Sequence, residues 1–389
     1  MSFFALCQTY WLQSYDFRVK SATPKSFWVT LNAMSAIFVN FVTVMKSYVF
    51  PGEIEPEILA VAAGEIPYMR TADFSRRVKD IERNLLTLAG CRDGRVIIYT
   101  ASGTGAMDAV VSCYVAARGK ALVIDGGSFG HRWVDICRYY DLPHAVMPVG
   151  FAADIDYAML DTIVEREKPA VLLMQDHETS TGQRFDLHRV SQLCRRHGVS
   201  LVVDAISSFL ADPFDMDSLG VDIAITSSQK GLNIQPGLAI VFISKNLKDF
   251  QWARGSYYFD MTENLRNLTR GQTPYSPATM LFLQLEARLA QINGAGGAEA
   301  LINRTASHAR YFRSLCQKYG WHVPAETPSN AITGFFVNGN TDGLAARVAE
   351  RGFYIMPCGT PGFFRVNHMG IQSEEDLLRL AEAIHQSSL

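Results

Sequence analysis

Short, almost purely apolar runs recur along the chain, and most are followed by a stretch with helical spacing. Arg95–Tyr99 (RVIIY), Ala121–Ile124 (ALVI), Ala145–Pro148, Ala170–Met174 (AVLLM), Ser200–Val203 (SLVV), Asp222–Thr226 and Leu238–Ile243 make up the series. The intervening stretches, among them the one ending at Ala117, Trp133–Tyr140 and Leu187–His197, have apolar residues at helical intervals. Continuous Val/Ile/Leu runs are what strands buried on both faces require, so the pattern predicts an α/β fold with a largely parallel sheet covered by helices. Past Tyr275 the text changes. Two long helices, Ala278–Ile292 and Ala298–Tyr319, are separated by Gly294-Ala-Gly-Gly297, and strand–helix–strand–helix follows to Leu389. The expected organisation is a large domain over residues 46–290 and a smaller C-terminal α+β domain over 291–389. Residues 46–65 contribute to the small domain and an entry loop, and residues 1–45 form an extension.

Composition narrows the function classes. The 389 residues include 36 basic and 38 acidic side chains, a formal charge of -2, with no long like-charge block. Nucleic acid is therefore not an expected partner. Seven widely spaced cysteines without a C-x-x-C pair suggest neither a disulfide framework nor a zinc ribbon, and reduced thiols place the protein in the cytoplasm. No histidine cluster has metal-ligand spacing, so no metal is expected. Ser26–Met45 carries no charge and has about the length of a bilayer span, but Thr30, Asn32, Ser35, Asn40 and Thr43 make it a poor one. A membrane role is not expected, and Met45 is itself a plausible start.

Four strand ends carry unusual polar chemistry: Ser102-Gly-Thr-Gly105, His177-Glu-Thr-Ser-Thr-Gly182, Asp204, and Ser227-Ser-Gln-Lys230. In open α/β sheets ligands bind where strands end. Small residues between a strand and a helix let backbone N–H groups approach a phosphate, although a plain capped turn has the same appearance. Asp204 ends an apolar strand, where an ionised carboxylate needs a cationic or hydrogen-bonding partner; a protonated pyridinium is one, a helix N-cap role the alternative. Lys230, beside small hydroxyl residues, is placed for an imine with an aldehyde cofactor, against the ordinary fate of a solvated loop lysine. Phe129 in Gly126-Gly-Ser-Phe-Gly130 is a candidate for stacking on a flat ring or a core anchor. Arg365, within the otherwise largely apolar run Gly362–Gly370, needs an anion, either a substrate carboxylate or phosphonate or an acid of the protein itself.

The order and spacing of these motifs, from Ser102-Gly-Thr-Gly-Ala106 through Phe364-Arg365, resemble the class V aminotransferases. Within them the chain looks like the group of alanine–glyoxylate, serine–glyoxylate and 2-aminoethylphosphonate–pyruvate transaminases. The resemblance covers about Tyr48 to the C-terminus. It implies a fold-type I homodimer with a seven-stranded, mostly parallel sheet, dependent on pyridoxal 5'-phosphate. By the same resemblance Lys230 is the Schiff-base lysine and proton shuttle, and Asp204 the partner of the pyridinium nitrogen. Ser102, Gly103 and Thr104 form the phosphate loop, with Gln229 beside it. Phe129 stacks on the ring, and Ser180, with Thr181, lies near the phenolic oxygen. Arg365 takes the substrate carboxylate, and Gly52 lies in the entry loop. Arg270, Gln272 and Thr273 reach the neighbouring subunit's phosphate, so the active sites are shared.

Two departures from the family pattern stand out. The entry loop reads Pro51-Gly52-Glu53 where Pro-Gly-Pro is common, and Met69-Arg70 replaces His-Arg. Asp204-Ala-Ile-Ser-Ser-Phe209 resembles the aminoethylphosphonate branch, whereas Ser228-Gln-Lys230 and Gln272-Thr-Pro-Tyr275 resemble the glyoxylate branch. The implied reaction moves an amino group from alanine, serine or 2-aminoethylphosphonate to pyruvate or glyoxylate. Alternatives on the same scaffold are a lyase or cysteine desulfurase, with Cys358 as the thiol, and a non-catalytic cofactor-binding protein.

Overall fold

All seven apolar runs pair into one sheet in the computed structural model, which describes residues 45–389. The strands are β1 (Arg95–Thr100), β2 (Ala121–Asp125), β3 (His144–Pro148), β4 (Val171–Gln175), β5 (Ser200–Asp204), β6 (Ile223–Ser227) and β7 (Leu238–Ile243). Their order is β1-β7-β6-β5-β4-β2-β3. Only β7 runs antiparallel to its neighbours; the other contacts are parallel. The C-terminal ends of β1, β2, β4, β5 and β6 therefore share one edge of the sheet.

Alternate side chains of each strand enter different cores, which is why the runs are continuously apolar. Val96 and Ile98 of β1, Leu172 and Met174 of β4, and Leu201 and Val203 of β5 join one cluster. Ile97, Tyr99, Val171, Leu173 and Val202 join the other. The first is covered by helices α1 (Ala72–Leu88), α5 (Leu187–His197) and α6 (Thr279–Gly294), the second by α2 (Gly103–Val110) and α3 (Ser128–Tyr139), with α4 (Tyr157–Glu167) also on the first. Local chemistry sets the helix ends: Thr71 and Asp186 accept first-turn N–H groups, and Gly198 closes α5 with φ 64°.

A third core lies at the C-terminal end of the chain. Strands β8 (Ile332–Phe336), β9 (Met356–Pro357) and β10 (Phe363–Asn367) form an antiparallel sheet in the order β8-β10-β9. Phe335, Phe364 and Val366 pack there with Tyr48 and with Leu377, Leu380 and Ile384 of the last helix, Glu374–Ser388. Lys46–Ser47 pairs in parallel with Phe353–Tyr354, attaching the start of the described chain to this layer. Helix α7 (Gly297–Lys318) belongs to two cores, Leu301 packing in the first and Phe312, Leu315 and Cys316 in the third. By backbone contacts, residues 46–389 are one compact unit. The charge-free stretch Ser26–Met45 lies, except for Met45, outside the described residues. Among the described residues no helix is long and apolar enough to cross a membrane.

Candidate active site

Asp204 is the last residue of β5 and Lys230 follows the end of β6, so two adjacent parallel strands deliver them to the same sheet edge. Both are buried, 5% and 8% exposed. Asp204 Oδ1 accepts the Ile206 N–H at 2.8 Å. Burial pushes the Asp204 carboxyl up to about 7, the Ile206 N–H opposing and the nearby Glu178 charge assisting. Burial likewise pushes the Lys230 ammonium down to about 7, against the attraction of Asp204. Near pH 7 each group thus has a substantial neutral population, and the neutral amine is the nucleophilic form. The ring of Phe50 lies against the amine, its centroid 3.2 Å from Lys230 Nζ.

Two helices begin at the same edge. Ser102 is the extended residue before α2, its side chain does not cap that helix, and no other side chain among the described residues does. The helix start is kept open by Gly103: a Cβ there would lie 2.5 Å from Ile206 Cδ1. Thr104 Oγ1 accepts Arg132 Nη1 at 3.0 Å, and the same guanidinium lies 5.0 Å from the ring centroid of half-buried Phe129. Helix α3, by contrast, is capped from elsewhere. The fully buried Glu178 carboxylate accepts the Gly130 N–H at 3.0 Å, the Phe129 N–H at 3.3 Å and Gln175 Nε2 at 2.7 Å. Ser180 donates its hydroxyl to Glu178 and accepts the Ser128 N–H at 3.2 Å, so its side chain joins this capping cluster.

Arg365 comes from β10, opposite Gly334 and Met356. Its Nη1 donates to the Thr179 carbonyl at 3.0 Å and Nη2 to that of Pro357 at 3.4 Å. Nε is buried without a partner among the described residues, leaving one edge of the guanidinium fork open. Gly52 is buried against the turn that follows β10; a Cβ there would collide with the Met369 carbonyl oxygen. Glu53, the departure from the family pattern, sends its carboxylate to Lys46 at 3.3 Å, and Lys46 also binds Asp376 at 2.6 Å. Its first role is to tie the entry loop to the C-terminal helix.

Gln272 and Thr273 form a separate group. Arg70 holds them, donating to the Thr273 carbonyl at 2.6 Å, the Pro274 carbonyl at 3.2 Å and Gln272 Oε1 at 3.4 Å. Arg270 binds Asn267. Among the described residues none of the three hydrogen bonds to Lys230, Asp204 or the Ser102 turn.

The arrangement fits pyridoxal phosphate at three points. The uncapped start of α2 suits a phosphate, the under-partnered Asp204 suits a cationic ring nitrogen, and the near-neutral Lys230 suits an aldehyde. Gln229 Oε1 and Ser227 Oγ, buried beside Lys230, also lack partners among the described residues. Sequence reasoning missed Arg132, Glu178, Ile206 and Phe50. Glu178 did have a signal, an acid within a small-residue loop at a strand end, but the helix N–H groups it caps lie some fifty positions away.

Comparison with known proteins agrees with this geometry. The solved structure of an alanine–glyoxylate aminotransferase from Nostoc sp. superimposes with a TM-score of 0.83 at 23% identity, over 88% of this chain and 95% of that one. The fold is that of the type I pyridoxal phosphate-dependent transferases. A soluble hydrogenase 42 kDa subunit of Anabaena cylindrica is 28% identical over 338 residues, 83% of this chain and 87% of its own. An L-aspartate–glyoxylate aminotransferase of Paracoccus denitrificans is 28% identical over 322 residues, 77% and 80% of the two chains. The family described as aminotransferase class-V matches residues 64–345, and the chain belongs to it. It is a transaminase, and pyridoxal phosphate is its cofactor.

Proposed function

We propose that the protein transfers an amino group from a small donor, alanine, serine or 2-aminoethylphosphonate, to pyruvate or glyoxylate. The observation that carries this reading is the pair Asp204 and Lys230, buried side by side at one sheet edge with both charges suppressed. Lys230 Nζ would hold the cofactor covalently. Ser102, Gly103, Thr104 and Gln229 hold its phosphate, Phe129 its ring face and Asp204 its ring nitrogen, with Ser180 fixing the loop alongside. When bound, the cofactor supplies an electron sink for the substrate's α-carbon. Lys230 Nζ, once free, takes the α-proton and returns it; an amine near pH 7 suits both directions of transfer. Arg365 binds the carboxylate that alanine or serine shares with the acceptor, or the phosphonate of 2-aminoethylphosphonate, its open Nε edge completing a bidentate pair. Gly52 places the entry loop beside the substrate.

The reading extends to the assembly. The protein acts as a homodimer in which Gln272 and Thr273, braced by Arg70, complete the partner's phosphate site. The larger unit spans residues 46–290 and the smaller 291–389. The six described cysteines are all unpaired, in keeping with a cytoplasmic enzyme. The test is the visible absorbance of the purified protein before and after separate addition of L-alanine, L-serine and 2-aminoethylphosphonate. Loss of the cofactor band with one donor names the amine side. Absence of any band after supplying pyridoxal phosphate would sink the assignment of Lys230.

A further inference from the structure

Phe50 occupies a position that the reaction chemistry does not require. Its ring centroid is 3.2 Å from Lys230 Nζ, and behind it lies an apolar cluster of Ala211, Ala331, Ile332 and Met369. Met356, half-buried on the strand opposite Arg365, packs on the same cluster. The reacting amine is therefore walled on this side by an aromatic face and apolar carbon.

The other described cations near the site have tasks of their own. Arg132 stands at the phosphate loop, bonded to the neutral Thr104 hydroxyl, where its charge would serve the cofactor's phosphate. Arg184 lies between Asp176, 3.3 Å away, and Asp212, 3.9 Å away. Arg365, by contrast, presents a buried donor without a partner among the described residues. It matches one anionic group. A second carboxylate on the donor would be desolvated against the apolar wall that Phe50 builds, with no free counter-charge among the described residues, an arrangement that buried charges do not tolerate.

We propose that Phe50 is a specificity-determining residue: its ring walls the amine side of the site at Lys230, admitting donors with a single anionic group and a short uncharged side chain and rejecting dicarboxylic amino acids. The inference rests on the transaminase reading above. The test measures kcat/KM of the amine-donating half-reaction for L-alanine, L-aspartate and L-glutamate in the cofactor-loaded wild type, Phe50→Leu and Phe50→Ala. The wild type favours L-alanine at least about tenfold over either dicarboxylate, Phe50→Leu keeps that ratio, and Phe50→Ala lowers it about tenfold by admitting water. Equal use of L-aspartate or L-glutamate by the wild type overturns the proposal, whatever becomes of the variants. So does an unchanged ratio in Phe50→Ala. Failure of the wild type to bind cofactor at all is a different result, one that removes the transaminase reading itself.

Discussion

Asp204 and Asp212 lie in neighbouring turns and are almost equally buried, 5% and 2% exposed, yet their surroundings differ in kind. Asp212 is satisfied. Oδ2 accepts from Ser329 Oγ at 2.6 Å, Oδ1 accepts the Asn330 N–H at 3.1 Å, and Arg184 stands 3.9 Å away. Those bonds fasten the segment leading into β8 against the loop after β5. Asp204 has the Ile206 N–H, and burial drives its carboxyl toward protonation. The contrast separates two uses of a buried acid. A carboxylate whose partners are all protein is architecture; one left short of partners beside a suppressed lysine is a place for a ligand.

The largest break in this comparison comes from the reacting pair. Lys230→Ala is expected to lower transamination by about 10³-fold or more, and Asp204→Asn by about 10²-fold, while neither lowers the melting temperature of the cofactor-free protein. Half-reaction kinetics and thermal melts of the same preparations check this, and a melting loss in Asp204→Asn would make that residue architectural too. Asp212→Ala should do the opposite. It leaves Arg184 under-compensated and two buried partners unmade, so denaturant titration should show a loss of about 3–5 kcal/mol. A loss below about 1 kcal/mol would remove the distinction.

The smallest effect is a pH dependence. The folded-state pKa of Asp204 is raised from 3.8 to about 7, so the folded protein binds the extra proton and stability falls as pH rises through that window. That of Lys230 is lowered from 10.5 to about 7, so the unfolded protein binds the extra proton and stability rises from pH 7 toward 10.5. The cofactor-free protein should therefore show a stability minimum near neutral pH, on the order of 2 kcal/mol deep. Melting curves from pH 5 to 9 would reveal it, and Asp204→Asn with Lys230→Met should flatten it. A wild-type curve without that minimum would mean the two charges are better solvated than their burial implies.

Much of this was legible before any coordinates. Each of the seven strands falls within a residue or so of its apolar run, because alternate side chains feed cores on both faces and leave no room for a polar interruption. Lys230, Asp204 and Ser102 announced themselves as polar residues at the ends of such runs, and Arg365 as a charge inside an apolar run of its own. Glu178 did not, because an acid becomes a cap only when a helix from elsewhere points its N–H groups at it. Glu53 stood out in the sequence only as a departure in the entry loop; that its carboxylate turns to Lys46, an ion pair formed by two segments meeting on the C-terminal layer, had no signal there.

The division follows the range of the forces. Strand identity, helix ends and the class of chemistry depend on periodicity and on residues within a few positions, so the chain by itself determined them. Which charges are satisfied depends on contacts between residues far apart in sequence: Asp212 with Ser329, Arg365 with Thr179, Phe50 with Lys230. Only the tertiary structure decided these, because desolvation and hydrogen-bond completion are properties of a packed interior and have no counterpart along an extended chain.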